Sequence, residues 1–186
     1  MTCGAGSTPA VGTIKTIIRS KSMDITISDI REVQSYTDIC NNKIDAFDVA
    51  MKLHKNQPIT KAETNLLFTN GACDIFAEAL YKKYAKDGYT VEKLAAGSSY
   101  KYYHCWCRSR SGKLIDFRGI FDTYDDMLAE YKPFLKKPIG TDKRSTHIKH
   151  DTDICPVKSP WSDVGYPEVF ALAKDIVDAN DKYYTD

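Results

Sequence analysis

Cys73, His104 and Asp116 are the residues of this chain whose types and order fit covalent acyl transfer. In such chemistry a thiolate attacks a carbonyl, an imidazole takes and returns the proton, and a carboxylate holds the imidazole in one tautomer. The three groups meet when the sulfur sits at a helix tip and the other two lie on neighbouring strands. The stretch from Thr69 to Phe121, TNGACDIFAEALYKKYAKDGYTVEKLAAGSSYKYYHCWCRSRSGKLIDFRGIF, has that order.

The helix comes first. Asn70 is a favoured N-cap residue, which sets Gly71, Ala72 and Cys73 at the first three helical positions. Ala72, Cys73, Phe76, Ala77, Leu80 and Tyr84 recur at helical spacing as one apolar stripe, with Asp74, Glu78 and Lys82 on the other side. Glu78 and Lys82 form an i,i+4 pair in the better orientation. Lys82, Lys83 and Lys86 crowd the carboxyl end, and Gly88 supplies the stop. Cys73 therefore points inward from the first turn of a helix of about four turns. Unpaired backbone N–H groups and the macrodipole favour a thiolate there.

Tyr100, Tyr102, His104 and Trp106 then share one face of a strand, and Lys101, Tyr103, Cys105 and Cys107 share the other. In the following strand Leu114, Asp116 and Arg118 share a face, with Ile115 and Phe117 opposite, and Ser109 to Gly112 is the turn between the two. An even loop would pair His104 with Phe117 and send Asp116 to the wrong side. The chemistry thus requires an odd-length loop or a bulge, and three residues ending near Gly112, which tolerates a left-handed backbone, would satisfy it.

G-A-C-D-I-F-A-E-A-L-Y-K-K-Y, D-G-Y-T-V, H-C-W-C and G-K-L-I-D-F-R-G together resemble the core of transglutaminase-like proteins, a branch of the papain-like thiol superfamily, over roughly 50 residues. The resemblance implies an α+β fold, with helices packed on an antiparallel sheet and the reactive cysteine at a helix N-terminus. It implies Cys73 as nucleophile, His104 as base and Asp116 as the residue orienting it. The chain is then a cysteine protease or amidase that cuts a peptide, isopeptide or side-chain amide through a Cys73 thioester and needs no cofactor. The Cys73 N–H and the Asn70 side-chain amide are the expected oxyanion donors, and some of Trp106, Tyr102 and Tyr100 are expected to wall a substrate groove, core packing being the default for strand aromatics. Deamidation and transamidation share the thioester and differ in the acceptor admitted; hydrolysis is favoured because water is always present.

Other readings of the same residues stay open. A cysteine heading an amphipathic helix is often a small core hydrophobe, and an aspartate just before Arg118 and Gly119 can simply be turning the chain. A pseudoenzyme of the same fold would grip a peptide or nucleotide-like partner. Cys105, Cys107, His147, His150 and Cys155 could instead hold a structural zinc ion in a binding module, although C-x-C followed by H-x2-H-x4-C is not a common zinc spacing. His54, beside Lys52 and Lys55, reads as an exposed helix-end histidine.

Length and composition bound the rest. A chain of 186 residues with 42% apolar content is large enough for one continuous core. Lys plus Arg at 26 against Asp plus Glu at 25 leaves a net charge of +1, which argues against bulk nucleic-acid binding. No apolar run is long enough to span a membrane. The six cysteines are scattered, and the first residues lack a secretory signal, so free thiols in a reducing compartment are expected, in the cytoplasm or in a host cytosol. Oligomeric state leaves no readable mark.

Residues 1–12 read as a disordered leader, and 13–186 as one thiol-hydrolase-like domain with its core at 69–121. Thr13 to Ile27 suggests an edge hairpin, Ser28 opens a helix that Asn41 and Asn42 end, Ile44 to His54 is a second, and Lys61 to Phe68 a third with Thr60 and Glu63 as a capping box. After Phe121, a helix capped by Asp122 or Thr123 runs to Tyr131. Phe134 to Asp153 is basic and reads either as a solvated segment or as a surface for an acidic substrate or partner. Tyr166 to Ala179 is a final amphipathic helix, and Asp181 to Asp186 is expected to fray.

Overall fold

The structure is a computed structural model that describes residues 45–96, 102–131, 146–150 and 166–186. The expected leader, edge hairpin and Ser28 helix lie outside the described residues, as does the basic stretch except for 146–150.

Local capping chemistry starts the helices. Helix α1, Ala46–His54, opens on Asp45, whose carboxylate accepts the Asp48 N–H at 2.9 Å while Asp48 accepts that of Asp45 at 3.2 Å. Helix α2, Lys61–Asn70, opens on the expected Thr60 and Glu63 capping box. An ion pair from Lys52 to Glu63 ties the two helices.

Here one expectation is corrected. Asn70 caps nothing; it is the exposed last residue of α2. That helix outruns Phe68 because Thr69 Oγ1 donates back to the Asn65 carbonyl at 2.6 Å and the Ala72 N–H closes on Leu67 O at 2.7 Å. Gly71 and Ala72 alone turn the chain, and helix α3, Cys73–Tyr84, begins without a side-chain cap. Cys73 is consequently its first residue rather than its third.

A second correction concerns the faces of α3. Every residue from Cys73 to Leu80 is buried, including Asp74 and Glu78, which were expected on a solvated side. Helix α5, Tyr166–Ala179, packs over what would have been the wet face, while the sheet covers the other. The i,i+4 ion pair survives burial, with Lys82 Nζ 2.6 Å from Glu78.

Among the described residues five strands form one sheet with antiparallel ladders, so the protein is α+β with helices on an antiparallel sheet. They are β1, Thr90–Ala96; β2, Tyr102–Arg108; β3, Leu114–Asp116; β4, Gly119–Phe121; and β5, Thr146–His150, in the spatial order β4-β3-β2-β1-β5. The side chains divide cleanly. Val91, Cys105, Cys107, Ile115 and Phe117 join the core shared with α1, α2, α3 and α5. Trp106, Leu114 and Phe121 point the other way, under Met127 of helix α4, Tyr124–Tyr131, which is capped by Thr123.

The β2–β3 turn has the required odd loop. Cys107 opposes Ile115 and Arg108 opposes Leu114. Ser109 N–H reaches Lys113 O at 2.9 Å, which leaves 110–112 as the loop, and Gly112 takes the left-handed position at φ +94°.

The tail does not fray. Asp181–Tyr183 forms a 3-10 turn, and Tyr184 is fully buried, its ring 5.7 Å from Phe76 and its hydroxyl donating to Phe117 O at 3.2 Å. Tyr89 donates to the Tyr184 carbonyl at 2.8 Å, and Asp186 accepts from Ser109 at 2.9 Å. Fraying loses because an aromatic ring buried against Phe76, which itself packs on Phe68 and Phe117, outweighs the entropy of a few ordered residues.

Candidate active site

Cys73 stands at the tip of α3. The first intrahelical bond there runs from Phe76 N–H to Ala72 O at 3.1 Å. The Cys73 amide precedes the first intrahelical bond and stands at the positive end of the helix dipole, where it can donate to a developing anion. That tip meets β2 where its ladder with β3 has ended, while β1 still pairs on the other side. The β2–β3 ladder covers only Arg108 and Cys107, and after Asp116 the chain turns through Phe117 and Arg118 into β4. Among the described residues no strand pairs β2 on the β3 side at His104 and Cys105, so side chains from both of its faces can reach one sulfur there. Both do: the Cys73 sulfur interacts with the Cys105 thiol and backbone N–H and with the His104 imidazole.

The imidazole is held from the far side. His104 Nε2 lies 2.8 Å from Asp116 Oδ2, and both residues are buried. Asp116 is itself fixed, since its Oδ1 accepts the Arg118 N–H at 2.7 Å inside the β3–β4 turn. With Nε2 engaged by the carboxylate, the Nδ1 edge is left to exchange a proton with the sulfur.

Trp106 backs the histidine ring, with centroids 5.9 Å apart and planes tilted by 30°. Its indole N–H donates to Glu92 Oε2 at 2.8 Å. Glu92, wholly buried on β1, also takes Arg108 Nε at 2.6 Å and Nη2 at 2.9 Å, and Arg108 Nη1 reaches Gly112 O at 2.7 Å. One continuous polar chain therefore runs from the hairpin loop to the indole packed on His104.

The surroundings of Cys73 and His104 favour charge separation before any substrate arrives. The Cys105 thiol, the His104 imidazole and its positive charge, and the Cys105 N–H together hold Cys73 well below an ordinary thiol despite burial. Burial alone would lower His104, but the Asp116 carboxylate and the Cys73 sulfur raise it to about 10. Cys105 moves the opposite way, pushed up by the Cys73 sulfur and by burial, and stays a neutral donor. The resulting thiolate and imidazolium suit attack on a carbonyl carbon followed by protonation of a leaving amine.

The structure thus brings Cys73, His104 and Asp116 together. Asn70 does not join them; it is exposed at the end of α2. Trp106, expected to wall a groove, is fully buried behind His104 and beside Tyr124, with centroids 5.6 Å apart. Tyr102 is the first residue of β2, and its side chain is outside the described residues. Two participants went unread in the sequence: Cys105, which strand alternation put on the face away from His104, and Glu92, which carried no chemical pattern of its own. No group of three metal-ligating side chains converges among the described residues, and Cys107 points to the Ala77 carbonyl at 3.3 Å; the side chains of His147, His150 and Cys155, the other expected zinc ligands, lie outside the described residues. His54 is exposed and lies 3.5 Å from Glu168, away from the site. No helix among the described residues is long and apolar enough to cross a membrane.

Comparison with protein-family models, with curated proteins and with solved structures returns no match to this chain.

Proposed function

We propose that this chain is a cysteine hydrolase of amide bonds, in the manner of the transglutaminase-like and papain-like proteins that its Cys73, His104 and Asp116 stretches resemble. The observation that carries the reading is the imidazole of His104, bonded to Asp116 at 2.8 Å on one nitrogen and interacting with the Cys73 sulfur as well. Cys73 attacks the carbonyl carbon of a peptide, isopeptide or glutamine side chain. The developing oxyanion turns to the Cys73 N–H at the helix tip. His104 passes its proton to the departing amine, and the thioester remains on Cys73. Water, deprotonated by His104, then attacks the thioester and frees the acid. Asp116 holds the ring in place and favours its charged form through both steps. The described cysteines, Cys73, Cys105 and Cys107, are free thiols, which suits work in a reducing compartment such as a cytosol.

The test is a panel of peptide, isopeptide and glutamine side-chain amides incubated with the whole chain and with Cys73→Ala. Amine or ammonia release by the wild type, abolished in Cys73→Ala at unchanged circular dichroism, supports the reading. Equal release by both proteins removes it.

A further inference from the structure

The geometry points to Cys105 as a resolving thiol for Cys73: a hydroperoxide that oxidises the Cys73 sulfur is answered by a Cys73–Cys105 disulfide, which makes the pair a reversible modification site. This rests on the proposed function only in taking Cys73 as the reactive sulfur. The placement follows from two lattices in register. Cys107 hydrogen-bonds the Ala77 carbonyl at 3.3 Å, which fixes where β2 crosses α3. Stepping back two residues along the strand moves about 6.7 Å to Cys105. Stepping back four along the helix moves about 6 Å to Cys73. The two cysteines therefore stand level, on facing elements of one core, with Cys105 the more enclosed at 2% exposure against 7% for Cys73. An oxidant from solvent meets Cys73 first, and the thiol behind it is within reach to close the bond.

The chemistry balances. The Cys73 thiolate attacks one peroxide oxygen, the S–O bond forms as O–O breaks, and the leaving hydroxide takes the His104 proton to become water. The Cys105 sulfur then attacks the Cys73 sulfenic acid, S–S forms as S–O breaks, and the released hydroxide carries off the Cys105 proton as a second water. Two thiols are oxidised by two electrons in all, and one hydrogen peroxide is reduced to two waters, an organic hydroperoxide giving one water and one alcohol. Cys107 is excluded because its sulfur lies one helical turn away, against Ala77.

The experiment is hydrogen peroxide treatment of the whole reduced chain, followed by alkylation, trypsin and mass spectrometry. The wild type and Cys107→Ser should each give peptide 62–82 linked to peptide 102–108, lighter by two hydrogens than the sum of the two peptides, with Cys107 alkylated in the wild type, and reverting with dithiothreitol. In Cys105→Ser the link should vanish while Cys73 accumulates as a dimedone adduct or sulfinic acid. If wild-type Cys73 gives the dimedone adduct or sulfinic acid as readily as Cys105→Ser, or bonds another cysteine, the proposal is overturned. So it is if Cys73 resists peroxide that oxidises the other cysteines. The readout is mass, not turnover, so a chain that cleaves no amide can still pass it, and an active hydrolase can still fail.

Discussion

His104 Nε2 and Asp116 Oδ2 stand 2.8 Å apart, although the β2–β3 ladder pairs neither residue with the other. The contact exists because the ladder stops short. Continuing its register by one residue would set Asp116 beside Trp106, on the same face as His104 and one pleat away, and the tight turn into β4 frees the carboxylate to lean across that gap.

Asp116→Asn tests that contact. The amide keeps the shape and removes the charge that favours the imidazolium, so His104 should fall from about 10 toward its ordinary 6.5. The sign follows: the proton donor is lost at lower pH, and the alkaline limb of amide turnover moves toward neutrality. A loss of about 10²–10⁴ in turnover is expected at the optimum. The pH–rate profile of the variant against the wild type checks it.

Glu92→Gln tests the support behind the ring. The substitution leaves the Arg108 guanidinium without its counter-charge while preserving volume. A fully buried pair broken in this way costs 3–5 kcal/mol, but a third of the Arg108 side chain is exposed, so about 2–3 kcal/mol is expected. The urea midpoint should fall accordingly, with the denaturant slope unchanged.

How far the chain could be read follows from these same residues. Capping boxes at Thr60 and Glu63, the Tyr166–Ala179 stripe and the odd loop ending at Gly112 were legible because each is decided by neighbours a few positions away. Asp74 and Glu78 were misjudged because periodicity reports one apolar face and cannot say that α5 covers the other. Asn70 was misjudged because α2 competed for it through the Thr69 and Ala72 bonds, and a favoured cap residue also fits a helix end. Strand alternation separated Cys105 from His104 correctly, yet the end of the β2–β3 ladder lets both reach one sulfur, and no sequence pattern records where a ladder ends. β1 escaped because its place inside the sheet is set by the distant β5 as well as by β2, and β4 because three residues after a two-residue turn are too few to show an alternating pattern.

The C-terminal segment gives a stability prediction. Tyr184→Ala empties a fully buried ring site and should cost about 3–5 kcal/mol, whereas Tyr184→Phe loses only the bond to Phe117 O, about 1 kcal/mol. Thermal or urea unfolding of the two variants separates these values. A fraying tail would leave both equal to wild type.

The charge separation at Cys73 is the claim on which the proposed chemistry stands, and site-resolved alkylation measures it directly. The fully reduced chain is treated with limiting iodoacetamide across a pH series, and modification at each cysteine is read by mass spectrometry. Cys73 should react ahead of Cys105 and Cys107, with a midpoint well below 9.0, and His104→Ala should move that midpoint up. A wild-type Cys73 that titrates as an ordinary thiol near about 8.5, unmoved by loss of His104, would contradict the account.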